Sequence, residues 1–219
     1  LTAHPGSQPL RQGTNCRQCH RGEEAQLGAA MGGPEPTDRA VDVHFSQGDG
    51  KLVTTLSWQG AEDEAKVSLM WGFGDNTALQ RGGCWAACHG DMPGMTLDKG
   101  NGVDKYLWAA LSQRRAIGQP AITLPEADLQ KEIDAGNFAE LWSVDLQKAE
   151  ITVSTLLAGI SPLDDTGVTA DAVFKDGVWT VDIHRPLSPP APLVSLASGR
   201  AYTFGVALNS KDRRGSKHW

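Results

Sequence analysis

From Val41 onward the chain alternates apolar and polar side chains with a period of two. Val41, Val43 and Phe45 interleave with Asp42, His44 and Ser46, and Gly48-Asp49-Gly50 then marks a turn. Lys51 to Trp58 resumes the alternation with Leu52, Thr54, Leu56 and Trp58 on one face, so the pair reads as a β-hairpin. Ala65–Phe73 repeats the pattern, and further strands are expected at Ala139–Leu146, Ile151–Leu157, Ala170–Phe174, Val178–His184 and Arg200–Leu208. Asp176-Gly177 sits between two of these as a hairpin turn. Pro186, Pro189, Pro190 and Pro192 mark a long exposed loop before the last strand. Helical spacing is confined to Asp104–Ala116 and a shorter stretch at Glu126–Ala135, with a further short helix at Glu23–Met31. Short strands separated by turn residues predict a mainly β fold: an antiparallel β-sandwich with a few helical insertions.

The first 36 residues do not share this pattern. Pro5, Gly6, Pro9 and Gly13 keep the start irregular, and Gly32, Gly33, Pro34 and Pro36 close the segment. The expected division is therefore an N-terminal arm over 1–36 and a β-sandwich over 37–219. At 219 residues with 40% hydrophobic side chains, the chain is long enough to bury a sizeable core without disulfides. No apolar run approaches the roughly 20 residues needed to cross a bilayer as a helix. The net charge of −6 argues against nucleic acid as a partner, because binding it requires a basic surface. The chain begins at Leu1 rather than Met, as expected of a mature or excised fragment, soluble or formerly anchored to a membrane.

The chemistry is concentrated in two short runs that use all four cysteines: Cys16-Arg17-Gln18-Cys19-His20 and Cys84-Trp85-Ala86-Ala87-Cys88-His89. A Cys-x-x-Cys-His run attaches haem through two thioethers and supplies an axial histidine from the residue that follows. A zinc site built from the four cysteines, or a pair of disulfides, leaves both adjoining histidines without a role. The expectation is two covalently bound haem c groups, held by Cys16 and Cys19 and by Cys84 and Cys88, with His20 and His89 on the irons. Covalent haem in turn implies a periplasmic location.

An electron-transfer haem commonly has a second protein ligand, whereas a catalytic or gas-binding one leaves that position open. The remaining histidines are His4, His44, His184 and His218, and the methionines are Met31, Met70, Met92 and Met95. His44 follows the arm closely enough for the first haem to fold back onto it, and His218 lies in a tail that the last strand can carry back over the sandwich. These two are the favoured distal ligands. Lys217 competes with His218, although its amine must first lose a proton near pKa ~10.4. Tryptophans 58, 71, 85, 108, 142, 179 and 219 are read as core in preference to haem-pocket lining.

Lys66–Trp71, Gly83–His89 and Asp91-Met92-Pro93 together resemble the c-type form of the ethylbenzene-dehydrogenase-related haem-binding domain, which also occurs fused to NapC/NirT-type cytochromes. The likeness extends to 16–33, to His44 and the hairpin ending in Trp58, to Gly177–Val181 and to Gly199–Ala207. It implies a sandwich that holds haem at one end and acts in electron transfer. It also implies that His89 stands where b-type relatives use methionine, with Lys217 or His218 near the place of their lysine. The sequence departs from relatives at Asn209-Ser210, where they often carry His-Asp. The function expected is a dihaem cytochrome passing single electrons between a membrane quinol-oxidising system and a periplasmic redox partner. The alternatives are a dihaem peroxidase or reductase, or a haem-based sensor with one labile ligand.

Overall fold

The computed structural model describes residues 21–23, 26, 39–73, 87, 105–112 and 122–210. They form nine strands in two antiparallel sheets, so the fold is mainly β as the alternation predicts. The four-stranded sheet has the order β1 (Asp42–Gly48), β2 (Lys51–Gln59), β8 (Val178–Pro186) and β7 (Thr169–Lys175). The five-stranded sheet runs β6 (Ile160–Leu163), β5 (Glu150–Leu156), β4 (Ala139–Asp145), β3 (Glu64–Gly72) and β9 (Thr203–Ser210).

Both predicted hairpin turns are present. Asp49 and Gly50 have φ of 51° and 71°, and Asp176 and Gly177 have 51° and 80°. Two consecutive positive φ values give the primed turn whose twist matches the flanking strands, which is why Asp-Gly occupies both tips. Trp58 and Trp179 are register partners across β2 and β8 and stack with ring centroids 6.4 Å apart.

The core lies between the sheets. Leu56, Trp58, Trp179, Val181 and Ile183 from the first sheet pack against Val67, Leu69, Trp71, Trp142, Val144, Val153 and Leu208 from the second. Trp58, Trp71, Trp142 and Trp179 are thus core residues, as expected of tryptophans in a sandwich. Two buried carboxylates cross-link this interior. Glu64 accepts from the Trp58 indole at 2.8 Å and pairs with Arg39. Glu140 on β4 pairs with Arg185 on β8 and joins the two sheets.

Two expectations need correction, and one strand was not foreseen. Of the helix expected at Asp104–Ala116, the described residues form only a 3-10 turn at Trp108–Ala110, followed by an antiparallel bridge from Leu111 to Thr123. The backbone bonds run from Ser112 N–H to the Ile122 carbonyl and from Leu124 N–H to the Ala110 carbonyl, so Leu111 is drawn into sheet-like pairing. The proline-rich loop is not simply exposed: Leu193 is buried in the core, and the Val194 carbonyl accepts from Arg185 at 2.7 Å. Strand β6 has no counterpart in the sequence reading, since Ser161-Pro162 carries no alternation. The one helix among the described residues, α1 (Glu126–Asp134), falls where expected. Of the Glu23–Met31 stretch only Glu23 and Gln26 are described, and the boundary at residue 36 lies outside the described residues.

Candidate haem-binding site

Side chains alternate across a strand, so each sheet has an inner face on the core and an outer face. The outer face of the five-stranded sheet divides into two halves. One half is polar: Ser68 and Ser143 are register partners with hydroxyls 2.9 Å apart, beside Lys66 and Thr152. The other is apolar, with Met70 paired to Leu141 and Ala139 paired to Leu156. An apolar patch on an outer face requires a cover, and here it has one.

The cover comes from the connection between β3 and β4. Ala87, Leu107, Ala110 and Phe138 pack with Met70, Ala139, Leu156 and Leu157 into a second buried cluster, flanked by Leu129 and Ile133 of α1. The Leu107 N–H donates to the Leu157 carbonyl at 2.7 Å and fixes this connection to the end of β5. Ala87 belongs to the run Cys84–His89 and is 2% exposed. The residue just before Cys88-His89 is therefore buried in the same cluster as Met70 of β3. Three alanines in the cluster, Ala87, Ala110 and Ala139, allow close approach of the connection to the strands.

Beneath this patch, on the inner face, β4 carries Glu140 between Ala139 and Leu141. Its carboxylate accepts from Arg185 Nε and Nη2, both at 2.9 Å, and from the Trp142 indole at 2.7 Å. Arg185 also donates to the Pro186 carbonyl at 2.9 Å, and its guanidinium lies over the Phe73 ring. Phe73 is the last described residue before the segment containing the second run. The buried pair thus ties the floor of the site, and the entry to its loop, to the central strand of the opposite sheet.

The predicted ligands divide by location. Cys16, Cys19, His20, Cys84, Cys88, His89 and His218 lie outside the described residues, as do His4, Met31, Met92, Met95 and Lys217. His44 is exposed on β1. Its neighbours Val43 and Phe45 face inward, so His44 points off the outer face of the four-stranded sheet, away from Ala87. It is therefore not on the face that seats the second run. His184 shares that outer face and lies 3.9 Å from the Asp171 carboxylate, a surface contact. Met70 is buried in the cluster that also holds Ala87 and forms part of the floor of the site.

Sequence reasoning missed the floor residues Met70, Ala139, Leu141 and Leu156 as a group. The signal was a break in alternation: Leu69-Met70-Trp71 and Leu156-Leu157 are apolar on successive positions, which marks strands covered on both faces. An open cleft at the far end of β2, lined by Arg39, Trp58, Gly60 and Val178, is remote from this floor, and its Arg39 is already paired with Glu64.

No family profile matches the sequence. The chain is similar to a c-type cytochrome. That relative is cytochrome c-552 of Stutzerimonas stutzeri, 24% identical over 246 aligned residues that take in 99% of this chain and 75% of the relative. No helix among the described residues is long and apolar enough to cross a membrane.

Proposed function

We propose that the protein is a dihaem c-type cytochrome of the periplasm, a carrier of single electrons between a membrane quinol-oxidising system and a soluble redox partner. The observation that carries this reading is the burial of Ala87 on an apolar sheet face. A run of the form Cys-x-x-x-Cys-His has little weight alone, and the burial of its Ala87 in the cluster that covers an apolar sheet face supports a structured site there. The similarity to a c-type cytochrome across nearly the whole chain supports the same reading, as does the resemblance to the ethylbenzene-dehydrogenase-related haem-binding domain.

The residues fit haem in chemistry. Cys84 and Cys88 would form thioethers to the second haem with His89 on its iron; Cys16, Cys19 and His20 would do the same for the first. His44 is the distal ligand proposed for the first haem and His218 for the second. Bound haem supplies one-electron chemistry at a potential set by its axial ligands and its burial. The protein's part is to hold the ligands and exclude water. The Met70, Ala139, Leu141 and Leu156 floor would shield one side of the second haem from water, and the Glu140–Arg185 pair fixes that floor. Two histidines on each iron give a lower potential than a histidine and a methionine, because thioether sulfur favours ferrous iron.

The test is spectroscopic. His44→Ala is expected to turn one haem high-spin and leave the other low-spin, and His218→Ala is expected to do the same for the other haem. A wholly low-spin spectrum with unchanged potentials in either variant removes that ligand assignment. Substantial carbon monoxide binding by the native ferrous protein opposes the electron-carrier reading, because it requires an open iron position.

A further inference from the structure

The sandwich is closed on one flank, where β7 lies against β5, and differs on the other. There the edge strands β1 and β9 present an aromatic seam. Phe45 stands edge-on to Trp71 and to Phe204, with centroids 5.7 and 5.1 Å apart, and Trp71 lies 5.4 Å from Phe204. Phe45 and Phe204 are each 38% exposed, the two aromatic residues among the exposed large apolar side chains described. Trp71 is 5% exposed, yet its indole Nε1 has no hydrogen-bond partner among the described residues. A buried donor left unsatisfied costs about 1–3 kcal/mol, so its presence beside an exposed aromatic pair points to an acceptor that arrives with whatever covers the seam.

The chain connectivity favours one occupant. Arg39 is bonded to Glu64, and Glu64 is the register partner of Ser210, so the segments 1–38 and 211–219 both join the fold at the same end of this flank. The distance along β3 from Glu64 to Trp71 is about 23 Å at ~3.3 Å per residue. The chain between His20 and Arg39 can span up to about 65 Å, which is ample. Both segments have to reverse to reach Phe204, but the nine residues after Ser210 span at most about 30 Å, little more than the way back plus a turn, whereas the N-terminal segment has length to spare. The N-terminal segment carries the first Cys-His run, and a haem there offers a flat aromatic surface with carboxylates at its edge. That is the complement of two exposed phenyl rings beside an unpaired indole N–H.

We propose that the β1–β9 seam is the docking surface of the N-terminal arm, residues 1–38, with the haem it carries covering Phe45 and Phe204. This rests on the dihaem reading above. Docking here fixes the first haem against the open edge of the sandwich, and His44 points off the other face of β1 from Phe45, so the seam is tested apart from that ligand.

The experiment places a photo-reactive benzophenone side chain at position 204 of the mature dihaem protein, and in a second variant at position 45. The expected result is an intramolecular cross-link to a peptide within 1–38 in at least one variant whose second haem keeps its native spectrum. A cross-link to 211–219 or to a second copy of the chain overturns the proposal, as does no cross-link in both folded variants. Phe204→Ser adds an independent readout: cleavage within 1–38 by a limiting protease is expected to quicken at least tenfold, while the second haem's spectrum holds. Unchanged cleavage overturns the proposal. The mass of the arm peptide reports its haem separately. An arm without haem defeats the dihaem reading, whereas a haem-bearing arm that does not cross-link defeats only the seam.

Discussion

The Glu140–Arg185 pair offers a quantitative test of the interior that supports the second motif. Glu140→Ala removes two charge-assisted bonds from the guanidinium at 2.9 Å and one from the Trp142 indole at 2.7 Å. Both side chains are essentially unexposed, at 1% for Arg185 and 0% for Glu140. The remaining guanidinium keeps the Pro186 and Val194 carbonyls but loses its only counter-charge among the described residues. Breaking one half of a buried pair costs about 3–5 kcal/mol, because the surviving charge has no access to water. For a chain of this size, each kcal/mol lowers Tm by about 2–4 °C, so the midpoint is expected to fall by about 6–20 °C. Thermal and denaturant unfolding of the haem-loaded protein measure this. The double variant Glu140→Leu with Arg185→Met removes both charges and keeps the bulk. It is expected to lie within about 1 kcal/mol of the parent or above it. A loss below about 1 kcal/mol in Glu140→Ala refutes the reasoning, since it means that the guanidinium is solvated elsewhere. A double variant as unstable as the single one shows that shape, not charge, governs the site.

Met70→Ala empties part of the floor under Ala87 and is expected to cost about 2–5 kcal/mol and broaden the second haem's Soret band, whereas Met70→Leu is expected to cost under about 1.5 kcal/mol. If Met70→Leu converts that haem to high spin, Met70 is an iron ligand and not floor. At Gly60, an added Cβ meets Glu64 Oε1 at 2.6 Å and Trp58 Nε1 at 3.0 Å, groups already bonded to each other. Gly60→Ala is therefore expected to lose about 1–3 kcal/mol in denaturant unfolding, and an unchanged midpoint would show that the Glu64 carboxylate is free to move. Gly177 has φ of +80° at a hairpin tip, so Gly177→Ala is expected to destabilise by about 1 kcal/mol or more, with no change in either haem's spectrum.

The sandwich was legible because its strands obey alternation on one buried face. Val43, Leu56, Leu69, Trp142 and Val181 each stand at the parity that the core requires, and both Asp-Gly tips carry the turn chemistry that links adjacent strands. The failures have physical causes. Tyr106, Leu107, Ala110 and Leu111 sit at helical spacing, but Leu107 and Ala110 serve a sheet-capping cluster, and the backbone follows the partners offered by Leu157 and Ile122. Local propensity yields there to tertiary pairing. Ile160–Leu163 joins β5 as a short edge strand whose first three side chains are exposed and only Leu163 packs on the core, so it shows no period. The site was half legible. The Cys-His runs name their own chemistry, but the floor is assembled from β3, β4, β5 and a connection of more than sixty residues, and only contact across that separation reveals it. The buried Glu140 reads in the sequence as one more polar alternant, and nothing local announces that Arg185 meets it across the core.

The central claim is that both Cys-His runs carry covalent haem, and haem stoichiometry tests it most directly. The protein is matured in a periplasm competent for covalent haem attachment, denatured, and measured by intact mass together with the pyridine haemochrome. The account predicts a mass equal to the chain plus two haems, two haems per chain by absorbance, and haem-bearing peptides containing Cys16–Cys19 and Cys84–Cys88. A chain that retains one haem, or none, under those conditions contradicts it.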